Sequence, residues 1–130
     1  MVAAHFGVTR TEAELLPLCH TTLDGTTPDG LARAARQLAL SATITYDEPA
    51  ILQESLSRRQ PVIVFLGIPA PQTSSDLGDL DIHAVVVTGL DHKSVTFIDP
   101  IDGLEHSQER SDFFAHWQNA CHIAILINRP

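Results

Sequence analysis

Apolar residues fall along this chain in three rhythms, and each rhythm predicts a different element. In "TPDGLARAARQLAL", Leu31, Ala34, Ala35 and Leu38 recur at the three-to-four spacing of one helical face. Thr27 is placed to cap that helix, and Pro28 suits its first turn, where a missing N–H costs nothing. "SATITY" alternates and is rich in β-branched residues, so Ser41–Tyr46 reads as a strand. "PVIVFLG" is an unbroken apolar run, as expected of a strand covered on both faces. "HAVVVTGLDHKSVTFIDP", from His83 to Pro100, is two apolar strands around a polar turn, the pattern of a hairpin. Asp47 is expected to cap a helix carrying Ile51, Leu52 and Leu56. Ser111 is expected to cap another bearing Phe113, Phe114 and Trp117, and "CHIAILI" to close the chain as a buried strand.

The first residues give half a pattern. Val2 and Phe6 share a helical face and Gly7 suits a C-terminal stop, yet no Ser, Thr, Asp or Asn precedes that face. The first helix therefore reads as truncated, with the chain starting inside an element. Thr11 and Glu14 have capping-box spacing, which predicts a short helix to about Leu16, before Pro17. Between Ile68 and Asp81 the pattern dissolves into Pro, Gly, Ser and Thr, the composition of a loop over a site. Helices come first and strands mostly later. That order predicts an α+β fold, with N-terminal helices packed on one antiparallel sheet in a single domain over 1–130.

Composition narrows the function classes. With 44% hydrophobic and 18% charged residues, the chain has the balance of a folded globular domain. A net charge of −8, with Lys and Arg totalling 8, argues against nucleic acid, whose phosphates need a basic face. No apolar run approaches the roughly 20 residues that span a bilayer. No basic segment leads into an apolar stretch as in a signal peptide. A cytoplasmic location is expected. Two cysteines, Cys19 and Cys121, make no disulfide framework, so a reducing compartment fits.

The seven histidines raise the question of a metal. No two have His-x-x-x-His spacing, and no Cys-x-x-Cys occurs; "DLGDLDIH" places Asp79, Asp81 and His83 on alternate positions, which more often marks a solvated acidic loop. Neither metal nor cofactor is expected. A cysteine nucleophile needs a helix N-terminus or a cationic neighbour to lower its pKa. Cys19 follows the Pro17 break, at the wrong end of a helix dipole, and Cys121 falls in the last predicted strand. His83 and Asp99 are the best remaining pair for a catalytic dyad. A two-residue turn at His92-Lys93 would set His83 opposite Asp102 and turn Asp99 to the other face. An odd loop or a bulge near Asp91 to Ser94 would bring Asp99 to the His83 face instead. Pattern alone leaves both partners open, together with the plainer reading of a strand cap and a turn former.

"HAVVVTGLDHKSVTFIDPIDG" resembles the His and Asp segment of cysteine peptidase family thirty-nine, the bacteriocin-processing peptidases, which have a papain-like fold. "MVAAHFGVTRTEAELL", "DGTTPDGLARAARQLAL", "RRQPVIVFLG" and "SDFFAHW" resemble its other segments, in order, over nearly the whole chain. The resemblance implies His83 as the base and Asp99 as the acid that orients it. The family's nucleophilic Cys and the Gln before it match nothing here and would fall before Met1. The chain is thus expected to be inactive as written, with a leader or substrate peptide as its partner and a membrane exporter as a possible associate. The alternative is a degenerate module that docks a peptide without cutting it.

Overall fold

The computed structural model describes residues 27–69, 80–100 and 102–128. The helices expected before Pro17, together with Cys19 and Asp79, lie outside the described residues. In chain order the elements are α1 (Pro28–Gln37), β1 (Ser41–Thr45), α2 (Ala50–Ser57), β2 (Val62–Pro69), β3 (Leu80–Leu90), β4 (Ser94–Asp99), β5 (Leu104–Glu109), α3 (Arg110–Asn119) and β6 (Ala124–Asn128). The chain divides into two compact units, one running to Ile44 and resuming at Ile125, the other spanning Thr45–Ala124. No helix among the described residues is long and apolar enough to cross a membrane.

In the first unit α1 begins as the sequence predicts. Thr27 Oγ1 accepts from the Gly30 amide at 3.1 Å, and Pro28 occupies the first turn. Its packed face is rotated from the expected one. Ala32, Ala34 and Ala35 are buried, while Leu31 and Leu38 are half-buried. Small side chains fill the contact, so the two leucines lie at its margins. Arg36 Nη2 donates to the Ala42 carbonyl at 3.0 Å and ties the helix to β1. β1 lies beside β6, where Ser41 Oγ donates to the Asn128 carbonyl at 3.2 Å.

The second unit is built on four antiparallel strands in the order β2-β3-β4-β5. Residues Val62 to Gly67 of β2 are all buried, as the unbroken apolar run requires. Val62, Val64, Val85, Val87 and Val95 are 1% exposed or less, and Leu52 of α2 and Phe113 and Trp117 of α3 join them in the core. Phe113 meets the Phe97 ring at 5.7 Å between centroids. A Cβ on Gly67 would lie 2.9 Å from Asn119 Cβ and 3.2 Å from its backbone carbon, so only glycine lets the end of α3 approach β2. Asn119 Nδ2 uses that approach to donate to the Gly67 carbonyl at 3.0 Å.

Three further expectations change, and one strand is unpredicted. Asp47 does not cap α2: its backbone is left-handed (φ 53°), and Pro49 holds the cap position with no side-chain hydrogen bond. The residue before a proline avoids helical backbone, so α2 starts after Glu48, out of reach of an Asp47 cap. Ser111 lies inside α3, where its hydroxyl donates to Glu109 Oε1 at 2.7 Å. Strand β5 runs directly into that helix, so Glu109 takes the cap position. β5 itself is unpredicted, because "LEHSQE" is polar; only His106 and Gln108 alternate inward, and the strand is at the edge of the sheet. Cys121 is exposed in a left-handed turn (φ 55°) before β6, not within a buried strand.

The hairpin turn is fastened by one carboxylate. Asp91 Oδ1 accepts from the amides of Lys93 and Ser94, each at 2.7 Å, and the Asp91 amide donates to the Ser94 carbonyl at 3.0 Å. Those two amides hold the Asp91 carboxyl below its usual value. Its stabilising contribution is present above the unfolded Asp pKa of about 3.9 and is lost as pH falls through the lower folded value. Asp91→Ala is therefore expected to be less stable than the parent at pH 7, with the difference shrinking below about pH 4. Urea midpoints of both proteins across that range check it; a gap that persists undiminished in acid would refute it.

Candidate active site

The hairpin aligns its two candidate residues through a bulge. Near the turn, Leu90 pairs with Val95 and Gly89 with Thr96; beyond Thr88 the register shifts, and Val87 pairs with Phe97 and Val86 with Ile98. Continuing that register by one step would set Val85 level with Asp99. Val85 and His83 alternate onto the same side of β3, so Asp99 arrives on the His83 face. The turn keeps its two-residue form, and the parity change comes from Thr88, within β3 rather than between Asp91 and Ser94.

His83 Nε2 lies 2.9 Å from Asp99 Oδ2. The N–H is not aimed squarely along that line: Nε2 is buried and makes no hydrogen bond of good angle. The contact is thus a close approach of carboxylate to ring and not a well-aligned hydrogen bond. Both side chains are about one-fifth exposed, at 23% and 22%, so the pair is sheltered yet reachable. Nε2 is the ring nitrogen beside Asp99, and Nδ1 is the other site on the ring that can take up or release a proton. On the neighbouring strand Leu66 pairs with His83 and is 2% exposed, which gives the ring an apolar flank.

Asp102, the competing partner, is engaged elsewhere. Its Oδ2 lies 2.8 Å from His106 Nε2, while its Oδ1 accepts from the Leu104 amide at 2.9 Å. The Leu104 amide first, and then His106, hold the Asp102 carboxyl below its usual value, against the opposing effects of partial desolvation and, more weakly, of Asp99. His106 stacks on Phe97 at 5.7 Å. No motif spacing singles out His106; the signal that could have found the pair is "DGLEH", in which an Asp-Gly turn brings His106, four positions on, back to Asp102. A third imidazole, His122, packs edge-on against Trp117 and has Asp47 Oδ1 3.7 Å from its Nδ1. Among the described residues, no three His, Cys, Asp or Glu side chains gather as metal ligands do.

An imidazole beside a carboxylate, on an antiparallel sheet with helices in an α+β fold, is an arrangement whose chemistry suits a base and the acid that orients it. The sequence matches the Peptidase C39 family over residues 1–129, and the chain belongs to that family. Among solved structures it is similar to the peptidase domain of Streptococcus ComA, a bifunctional ABC transporter involved in a quorum-sensing pathway. That likeness has a TM-score of 0.76 at 23% identity, covering 99% of this chain and 85% of that one. A double glycine motif protease from an AMS/PCAT transporter, solved in complex with the leader peptide, matches with a TM-score of 0.70 at 19% identity, over 100% of this chain and 79% of the other. The peptidase C39-like domain of a toxin secretion ATP-binding protein from Vibrio parahaemolyticus matches with a TM-score of 0.68 at 16% identity, over 99% and 90%. At these identities the likeness establishes the fold. No curated protein matches the chain.

Proposed function

We propose that His83 and Asp99 are the base and the orienting acid of a thiol-peptidase site, and that this 130-residue polypeptide does not itself cleave peptides. The observation that carries the reading is the 2.9 Å approach of His83 Nε2 to Asp99 Oδ2 across a hairpin that needs a bulge to make it. In such a site Nδ1 takes the thiol proton, and the carboxylate steadies the resulting imidazolium. The thiolate adds to the scissile carbonyl. Collapse then expels the amine, which takes the proton from the ring, and leaves an acyl thioester for water to hydrolyse.

The thiol is the part this polypeptide does not supply. Cys121 is exposed on a turn and not at the helix N-terminus that favours a thiolate, and Cys19 follows Pro17 in sequence, where the pattern predicts the end of a helix and not its start. The substrate class proposed is a peptide with a double-glycine leader, presented by a peptide exporter, since similar folds serve ABC transporters. A docking module that holds such a peptide uncut is the second reading, favoured by the same absence of a suitable cysteine. Incubating the polypeptide with a double-glycine leader peptide is expected to give no turnover. Turnover abolished by Cys19→Ser or Cys121→Ser would show that a cysteine of this chain is the nucleophile and would overturn the proposal.

A further inference from the structure

An open cavity of about 650 Å³ lies at the turn end of the β3–β4 hairpin, lined by His92, Lys93, Glu109, Arg110, Ser111 and Phe114. Five residue steps of β4 separate this end from Asp99, about 17 Å at roughly 3.4 Å per residue. It is a separate place from the dyad. Its chemistry runs against the rest of the molecule: the net charge is −8, yet here the chain's one lysine and an arginine stand together.

The two cations are held open. Arg110 Nη1 donates to the Asp91 carbonyl at 3.0 Å, its guanidinium lies over the Phe114 ring at 5.2 Å from the centroid, and its amide donates to the Lys93 carbonyl at 2.9 Å. That anchors the guanidinium while leaving most of its five donors unspent. Among the described residues neither Lys93 nor Arg110 makes an ion pair. The one carboxylate in the lining, Glu109, has Oε1 occupied by the Ser111 hydroxyl. An anchored arginine, a lysine beside it and the aromatic ring of Phe114 suit a ligand that is anionic and partly apolar.

We propose that this cavity docks an acidic segment of a protein partner, one carboxylate meeting Arg110 and Lys93 and a neighbouring apolar side chain lying against the exposed edge of the cavity at Phe114. The volume exceeds what a single inorganic anion fills, and the complementary charge selects an acidic chain over a basic or neutral one. This is independent of the peptidase reading, since no residue of the dyad takes part.

The test uses the 130-residue protein and a fluorescein-labelled peptide of Glu and Leu residues, with a Gln-and-Leu peptide and inorganic phosphate as comparison ligands. Anisotropy should show binding of the acidic peptide that weakens with salt and falls about tenfold or more in Lys93→Glu. Arg110→Lys, which keeps the charge but loses the planar fork, should also weaken it. Amide shifts should centre on Lys93 and Ser111. Equal binding of the acidic and neutral peptides would overturn the proposal, as would phosphate binding without peptide binding, or shifts centred away from this turn. Lys93→Gln, a mild surface change, guards against loss of fold as the cause; unchanged binding in that folded variant would also count against the proposal.

Discussion

Trp117→Ala is expected to destabilise the fold by about 3 to 5 kcal/mol, the largest single effect predicted from this structure. Trp117 is fully buried, and its ring meets Phe114 at 5.5 Å and His122 at 5.0 Å. Its indole Nε1 donates to the Ile123 carbonyl at 3.0 Å. Truncation would open a cavity between α3 and the sheet and leave that carbonyl without its side-chain donor. It would also loosen the turn at Cys121 and His122 that leads the chain into β6. Against a total stability of roughly 5 to 15 kcal/mol, the variant should be close to unfolding at 25 °C. Urea titration checks this. Trp117→Phe, which retains most of the volume but not the N–H, should lose markedly less. Equal losses for both variants would mean that the hydrogen bond, not the packing, dominates.

The second large effect concerns rate. When a helix start bearing the family's Gln and Cys is placed ahead of Met1, peptide cleavage should appear. His83→Ala should then lower kcat/KM by about 10²- to 10⁴-fold, the range for loss of a positioned general base. Asp99→Asn should lower it less, because an amide still orients the ring but does not stabilise its charge. Asp102→Asn should lower it least, since Asp102 is spent on His106 and the Leu104 amide. The order His83, Asp99, Asp102 is the specific content of this prediction; a loss with Asp102→Asn as large as that with Asp99→Asn would reassign the acid.

Much of this was legible in the sequence where one principle dominates. Unbroken burial gave away β2, a proline behind a capping threonine gave away α1, and alternating valines gave away the hairpin. The missed parts have competing causes. β5 is an edge strand with a single half-buried row, so its apolar signal is weak. The Asp47 cap failed because Pro49 restricts the residue before it. Cys121 sits in an apolar-looking stretch, but the sharp return from α3 to β6 needs left-handed backbone at Cys121 and His122, at φ 55° and 51°. The His83–Asp99 approach was legible as a pair and not as a geometry. Residue spacing counts positions, and only the extra residue at Thr88 decides which face Asp99 takes.

The most direct test of the central claim needs no substrate. Supply the thiol as above and follow its alkylation by iodoacetamide as a function of pH, in the parent and in His83→Ala, both carrying Cys19→Ser and Cys121→Ser. If His83 is poised as the base, the supplied thiol is stabilised as a thiolate by the adjacent imidazolium, and its reactivity rises at a pH well below the roughly 8.5 of a free cysteine. In His83→Ala the profile should return toward that free value. Coincident profiles in the two proteins would contradict the account, because His83 would then have no electrostatic hold on the position where the nucleophile belongs.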